Sequence, residues 1–218
     1  LWSKLKHHNI KGDLFPLFFL MAENSTTELE AVNTLLHSIG EASVNSLTNL
    51  PIDGTQAKNI LTEVSREVQS TGWHFNKFFD FDLSRDTNNK IPLADNIMRV
   101  DLDTTLYPRS THDVIKRGAF LFNKVGNTFV FTDTLKALVT LFLPFNELPE
   151  NARRYIVLRA SRMFQDRTLG AGTLHNFHMQ DEAQALAKLK QEEMDTADHS
   201  IFDSPDIAMT ITRGHKIV

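Results

Sequence analysis

Apolar residues recur at helical spacing in two separate parts of the chain, and this pattern constrains the fold more than any other feature of the sequence. Thr27, followed three residues later by Glu30, has the spacing of a capping box, which opens a helix. Asp53 and Gln56 predict the start of a second helix in the same way. The apolar stripes are Leu29, Val32, Leu35, Leu36 and Ile39, ended by Gly40, and Ala57, Ile60, Leu61, Val64 and Val68, ended by Gly72. Two such helices indicate an antiparallel pair.

Helical spacing returns at Pro149, a residue type that is favoured in the first turn of a helix. The apolar face of this third helix comprises Ala152, Ile156, Ala160 and Met163, with Phe164 beside them. Gly170 and Gly172 then interrupt the chain, and we expect a fourth helix from about Asp181 to Thr196. Residues 26–72 and 149–196 are therefore predicted to form one helical bundle.

Residues 73–143, between the two helical parts, have apolar residues at an approximate period of two, which is typical of strands. The predicted strands are residues 75–83, 97–102, 119–123, 128–131 and 135–143, the last of which could also be a helix. Gly126 and Asn127 separate two of these strands and predict a hairpin turn. The expected fold is α+β: an antiparallel helical bundle with an inserted, mostly antiparallel β region.

Charge and cysteine content exclude several classes of protein. The 218 residues include 23 Lys and Arg against 27 Asp and Glu, a net charge of −4, so nothing indicates a basic protein that wraps nucleic acid. The absence of Cys excludes a disulfide scaffold, a thiol nucleophile and any cysteine-based metal site. The chain also lacks the motifs of serine hydrolases, P-loop proteins and zinc proteases. We predict no cofactor, no metal and no enzymatic activity.

The two ends of the sequence differ from its body. Residues 1–20 place basic residues before a short apolar run, as a signal peptide does, but the run contains Pro16 and is too short to span a membrane. Because Met21 opens a typical soluble start, we expect residues 1–20 to be upstream translation or a loosely attached extension. Residues 198–218 lack helical spacing, and we expect an extended docking tail. Its apolar anchors are Ile201, Phe202, Ile207 and Met209.

Five of the eleven arginines lie within fifteen residues of the third predicted helix: Arg153, Arg154, Arg159, Arg162 and Arg167. On a helical wheel, Arg159 and Arg167 fall near the apolar face, where an unpaired charge is costly. We therefore expect carboxylate or carbonyl partners, either in the same subunit or across an interface, because guanidinium groups bind carboxylates with two parallel bonds. Acidic residues interleave with these arginines, which argues against a nucleic-acid surface.

Two other clusters carry weaker chemical hypotheses. The first consists of His175, His178, Asp181 and Glu182. Their spacing could offer metal ligands on one helical face, although histidines near a helix start more often cap or pack. The second consists of Asp80, Asp82, Asp101 and Asp103. Carboxyls two residues apart on strands could serve a carbohydrate hydrolase, which is the alternative function, although they are equally typical of a solvent-facing strand.

Residues 143–167 read Leu-Pro-Phe-Asn-Glu-Leu-Pro-Glu-Asn-Ala-Arg-Arg-Tyr-Ile-Val-Leu-Arg-Ala-Ser-Arg-Met-Phe-Gln-Asp-Arg. This stretch resembles the tail tubular protein A family, the tail adaptors of short-tailed bacteriophages. Further similarity lies in residues 28–41, 57–75, 127–131 and 181–183, so the resemblance covers about residues 26–203. Residues 116–123 depart from the family pattern, in which a pair of glycines and Tyr-Asp are usual.

The resemblance implies a structural virion protein of the phage tail, assembled in the host cytoplasm. It implies a ring of twelve copies beneath the portal protein, which extends the DNA channel and seats the nozzle protein, tail tubular protein B. The ring would also help to attach the tail fibre protein. Genomic DNA would pass through without sequence-specific binding, and the acidic balance of the chain fits a wall past which DNA slides.

Overall fold

The computed structural model describes residues 25–170 and 172–196, with the backbone alone for residues 172–178. Within these residues it contains four α-helices and two small antiparallel sheets, so the predicted α+β class is confirmed. The helices are α1 (Glu28–Ser38), α2 (Ile52–Ser70), α3 (Glu150–Thr168) and α4 (Gly172–Thr196). The strands are β1 (Lys77–Leu83), β2 (Ile97–Leu102), β3 (Val114–Arg117), β4 (Phe120–Asn123) and β5 (Leu135–Leu141). No helix of the described part is both long and apolar enough to cross a membrane.

The start of α1 follows the sequence prediction, whereas the start of α2 does not. The Thr27 hydroxyl accepts a hydrogen bond from the Glu30 backbone N–H at 3.2 Å, and Glu30 Oε2 accepts one from the Thr27 N–H at 2.7 Å. In α2, Pro51 occupies the capping position and no side chain caps the helix. Asp53 lies inside the first turn, where its charge favours the positive end of the helix dipole, so the predicted box with Gln56 is wrong.

Helix α3 lies at the centre of the bundle and packs against the other three helices. Its fully buried side chains include Ile156 and Phe164, and each contributes about 2 kcal/mol by leaving water. Helix α4 begins at Gly172, not near Asp181 as predicted. The break that the sequence indicates includes Gly170, which takes a φ of +63° after α3.

The β region has two layers around its own apolar cluster. One layer is the sheet β1-β5-β2, and the other is the β3–β4 hairpin with the segment around Ile91. Leu121 of β4 and Val139 of β5 are both fully buried in the cluster between the layers. Within residues 135–143, for which the sequence allows a strand or a helix, Leu135–Leu141 form a strand, and it is the central one of the sheet.

The predicted hairpin around Gly126 is only partly formed. Asn123 and Thr128 exchange two backbone hydrogen bonds across the turn, and Asn127 takes a φ of 48°. Residues 128–131 then form isolated bridges instead of a strand. The strand that pairs with β4 is β3, which the prediction missed, and the turn between them passes through Gly118 at a φ of +63°.

Strand β1 is shorter and more exposed than the alternation of residues 75–83 predicts. A 3₁₀ turn occupies His74–Asn76, and a bulge between Phe78 and Phe81 shifts the pairing with β5. Asp80 takes a φ of 54° in this bulge. Because the bulge turns the strand, Phe79 points into solvent and is 72% exposed.

A buried polar joint connects the bundle to the β region. Gln69 at the end of α2 exchanges two hydrogen bonds with the Leu143 backbone, at 2.8 Å and 3.0 Å. The side-chain amide of Asn76 donates to the carbonyls of Gln69 and Leu141 at 2.8 Å and 2.9 Å, and its carbonyl accepts from the Trp73 N–H at 2.8 Å. Because Gln69 and Asn76 are fully buried and bonded, the joint fixes the two regions to each other.

Candidate assembly interface

Helix α3 carries the five arginines, and the bundle places three of them against carboxylates of neighbouring helices. Arg159 donates to Glu182 of α4 at 2.8 Å and to Glu67 of α2 at 2.6 Å. Arg162 donates to the other oxygen of Glu182 at 2.6 Å. Arg167 binds both oxygens of Glu63 of α2, at 2.9 Å and 3.0 Å. The arginines therefore tie α3 to the helices on both of its sides.

Glu182 is the centre of this network, because it is buried and accepts bonds from two guanidinium groups. Burial alone would raise the pKa of Glu182, but the hydrogen bonds from Arg162 and Arg159 outweigh it, so the pKa lies below its ordinary value. Burial would lower the pKa of Arg159, yet its bonds to Glu67 and Glu182 raise it. The hydrogen bond to Glu182 likewise raises the pKa of Arg162. Glu182, Arg159 and Arg162 are therefore charged around neutral pH, and they form a set of ion pairs.

Arg153 has a different role, at the start of α3. Its guanidinium donates to three backbone carbonyls, those of Leu148, Thr26 and Asn146, at 2.7, 2.8 and 2.6 Å. These carbonyls belong to the loop before α3 and to the chain just before α1. Each of its three nitrogens thus donates to a carbonyl of the same chain, and Arg153 thereby holds the start of α1 against α3.

Arg154 differs from the other four arginines. Its side chain is exposed, and it makes no hydrogen bond or ion pair with the residues that the structure describes. Arg167 is also exposed, since 49% of its side-chain surface is accessible, and so is its partner Glu63. These two guanidinium groups are the ones on α3 that a neighbouring molecule could reach.

Asp181 and Glu182, the described residues of the weaker metal-ligand hypothesis, have different surroundings. Glu182 is bound to arginines, whereas Asp181 is exposed on the same helix. The side chains of His175 and His178 lie outside the described residues. Among those that are described, no three His, Asp or Glu side chains come together as metal ligands would.

Three of the four candidate hydrolase carboxylates line one open groove on the outer face of the three-stranded sheet. Asp80, Asp101 and Asp103 share it with Lys136, and its volume is about 410 Å³. Asp82 is not among the lining residues. Bonds from the Thr105 hydroxyl and backbone N–H hold the pKa of Asp103 below its ordinary value. Asp103 is thus a poor proton donor, although a retaining or inverting hydrolase needs one such acid.

The β region also has an outer surface that the sequence analysis did not identify as functional. Ile115 and Arg117 of β3 are exposed on the face of the hairpin opposite to the buried Leu121. The Arg117 guanidinium lies 4.7 Å from the ring centre of Phe122, and Lys90 lies 5.6 Å from that of Phe120. The alternation of Ile115 and Arg117 was the sequence signal for this surface, but four residues are too few for periodicity to be decisive.

The predicted docking residues of the C-terminal tail, Ile201, Phe202, Ile207 and Met209, lie outside the described residues.

Comparison with known proteins places this architecture in a family. The family model described as tail tubular protein matches residues 29–199, which include both helical parts and the whole β region. Comparison with curated proteins gave no match. Since the family model matches more than half of the 218 residues, the chain belongs to the tail tubular protein family and is a structural component of a phage tail.

Proposed function

We propose that this protein is a tail adaptor, which forms a ring between the portal protein and the tail nozzle. The observation that carries the proposal is the match of residues 29–199 to the tail tubular protein family. The resemblance of residues 143–167 to the adaptors of short-tailed phages supports the adaptor role among the possible roles of a tail component. A subunit of a ring needs a rigid fold and two different surfaces, each of which binds a neighbouring subunit. The arginine network of α3 supports the first requirement, and the exposed apolar residues of the β region support the second.

In this proposal twelve copies surround the path of the genomic DNA, which passes without sequence-specific binding. The portal protein lies above the ring. The nozzle protein, tail tubular protein B, lies below it, and the tail fibre protein attaches at its side. The protein resides in the virion tail after assembly in the host cytoplasm. The net charge of −4 supports a channel that does not grip DNA, because phosphate groups bind to basic surfaces.

Arg154 is our candidate for a contact between subunits within the bundle, since it is exposed and has no partner in the described part of its own chain. Arg167 is a second candidate, because its exposed pair with Glu63 is easily exchanged for a partner on another subunit. Arg153, Arg159 and Arg162 are bonded within the chain and would act by holding the bundle together. Arg154→Ala should weaken ring formation without lowering the melting temperature, and Lys188→Ala, which removes an exposed positive charge on α4, is the control.

The C-terminal segment, residues 198–218, is proposed to dock on the portal or on a neighbouring subunit. Ile201, Phe202, Ile207 and Met209 would supply the apolar contacts. Deletion of residues 200–218 tests this point and should reduce portal binding or ring formation. If both survive intact, the docking tail is not needed and that part of the proposal fails.

Electron microscopy of the purified protein, alone and mixed with its portal, tests the main proposal. We expect closed rings, and rings seated on the portal in the mixture. Mass photometry at the same concentrations would give the number of copies. Persistent monomers in both samples, with no complex, would contradict the adaptor function.

A second candidate function, carbohydrate hydrolysis, rests on the groove that Asp80, Asp101 and Asp103 line together. Incubation with host polysaccharides is a direct test. Turnover that the Asp101→Asn change abolishes would support this activity. The lowered pKa of Asp103 and the open groove make the structural role the stronger proposal.

A further inference from the structure

The two layers of the β region each turn one face outward, on opposite sides of the apolar cluster between them. Near Gly72 the outer face of the sheet is covered, since Thr140 is buried there, and Phe122 of the hairpin is buried against Phe129. Phe79, Leu106 and Ile115 are exposed. Both faces combine exposed apolar side chains with charges, which is the usual composition of a surface that binds a partner. Their charges, however, have opposite signs.

The groove on the outer face of the three-stranded sheet is acidic, whereas Lys77 and Arg99 lie at the other end of that face, beside Thr140. We call the acidic part the sheet face and define it by Phe79, Asp80, Asp101, Asp103 and Leu106, around the groove described above. Phe79 and Leu106 are 72% and 59% exposed, so the face offers apolar area as well as charge. Lys136 is the one cation among the groove's lining residues; three carboxylates against one amine leave a net charge of −2.

The outer face of the hairpin is basic. We call it the hairpin face and define it by Lys90, Ile115, Arg117, Phe120 and Phe122. Ile115 and Val130 nearby are 48% and 51% exposed. Stacking on Phe122 leaves the N–H groups of Arg117 at the edge of the guanidinium free, and the described residues provide no carboxylate for them. Arg117 is thus oriented to bind a carboxylate of another molecule.

We propose that the hairpin face of one subunit docks on the sheet face of the next subunit of the same protein. Arg117 would enter the acidic groove beside Asp101, and Ile115 would pack on Phe79 and Leu106. This inference rests on the proposed ring and assigns its contacting faces. Pairing either face with itself would bring like charges together, which disfavours a two-fold dimer. Two different faces on opposite sides of one layer pair head to tail, and such contacts generate rings.

Charge reversal on each face tests the contact. Arg117→Glu disables the hairpin face, and Asp101→Arg disables the sheet face; each should weaken self-association on the order of 100-fold and abolish rings in electron microscopy. Each variant keeps one intact face. An equimolar mixture of the two should therefore form rings again, because the intact contact then alternates with a contact in which both charges are reversed; mass photometry measures them. Lys188→Glu, at an exposed position of α4 with the same change of charge, is the control and should form normal rings.

Two further variants separate a lost contact from a lost fold. Ile115→Asp removes the apolar contact but leaves the stack of Arg117 on Phe122, and it should also prevent rings while its melting temperature stays near that of the wild type. Combining Arg117→Glu with Asp101→Arg in one chain should restore rings. If the wild type forms rings and both single reversals do so equally well, the assignment of faces is overturned while the adaptor function stands. A wild type that stays monomeric, alone and with portal, overturns both.

Discussion

The bundle and the β region use their charged residues in opposite ways. In the bundle, Arg159, Arg162 and Glu182 face one another between helices and stabilise the chain that carries them. In the β region, Asp80 and Arg117 face solvent and have no ionic partner among the described residues. Charged groups that are paired within the chain make it more rigid, whereas charged groups without a partner are available to bind another molecule. We therefore expect Arg159, Arg162 and Glu182 to matter mainly for stability, and Asp80 and Arg117 mainly for binding.

The largest loss of stability is expected from a substitution in the polar joint, because its residues connect the bundle to the β region. Gln69→Ala would leave the N–H and C=O of Leu143 without their partners and open a cavity at a fully buried site. We expect a loss of about 4 kcal/mol in the free energy of unfolding. Urea denaturation followed by circular dichroism measures it. Gln56→Ala, at an exposed position of the same helix, should change stability by less than about 0.5 kcal/mol.

Removing the central carboxylate of the bundle should have the next largest effect. Glu182→Ala leaves two guanidinium groups facing each other without their shared anion. We expect a loss of about 3 kcal/mol, at the low end for a buried pair because both arginines are partly exposed. Asp101→Asn on the sheet face should change stability by less than about 0.5 kcal/mol. Equal losses from the two substitutions, measured by urea denaturation, would contradict the comparison between the regions.

Acid should weaken the bundle through the same carboxylate. The pKa of Glu182 is lowered in the folded chain, so its contribution is complete above the ordinary value of 4.5 and is lost as the pH falls through the folded value. Between pH 7 and pH 3, thermal unfolding should show a decrease of the melting temperature that is about 4 °C larger for the wild type than for Glu182→Gln. A decrease of the same size in both proteins would show that another group carries the acid sensitivity.

The smallest effect is expected at the outermost ion pair of the bundle. Arg167 and Glu63 are both about half exposed, and water and salt screen such a pair. Glu63→Gln should leave the melting temperature unchanged within error, in 50 mM and in 500 mM salt alike. A clear loss of stability would mean that the pair is held more firmly than its exposure indicates.

The sequence predicted those features that depend on neighbouring residues. The capping box of Thr27 and Glu30 and the strand Ile97–Leu102 are both observed, since each depends only on local spacing. The last helix was predicted too short, because the apolar spacing before Asp181 is weak, whereas the helix begins at Gly172. The bulge at Asp80 was missed because a bulge changes direction without changing the alternation of residue types.

For contacts between residues far apart in the sequence, the type of partner could be predicted but not which residue it is. The position of Arg159 on the apolar face indicated that it needs a carboxylate, but its partners Glu67 and Glu182 are separated from it by 92 and 23 residues. Nothing in the local pattern distinguishes them from other glutamates. Likewise, Gln69 and Leu143 meet across 74 residues, and no spacing rule links them. The faces of the β region depend on which strands pair, which composition does not specify.

The joint at Gln69 and Asn76 has a geometric consequence. In a closed ring, the wedge angle between successive subunits fixes how many copies complete the circle. Because every side-chain amide group of the joint is bonded, the β region takes its direction from the bundle with little freedom. The curvature of the proposed ring would then be set inside each subunit, at two buried amides. A substitution there could change the copy number while leaving both contact surfaces intact.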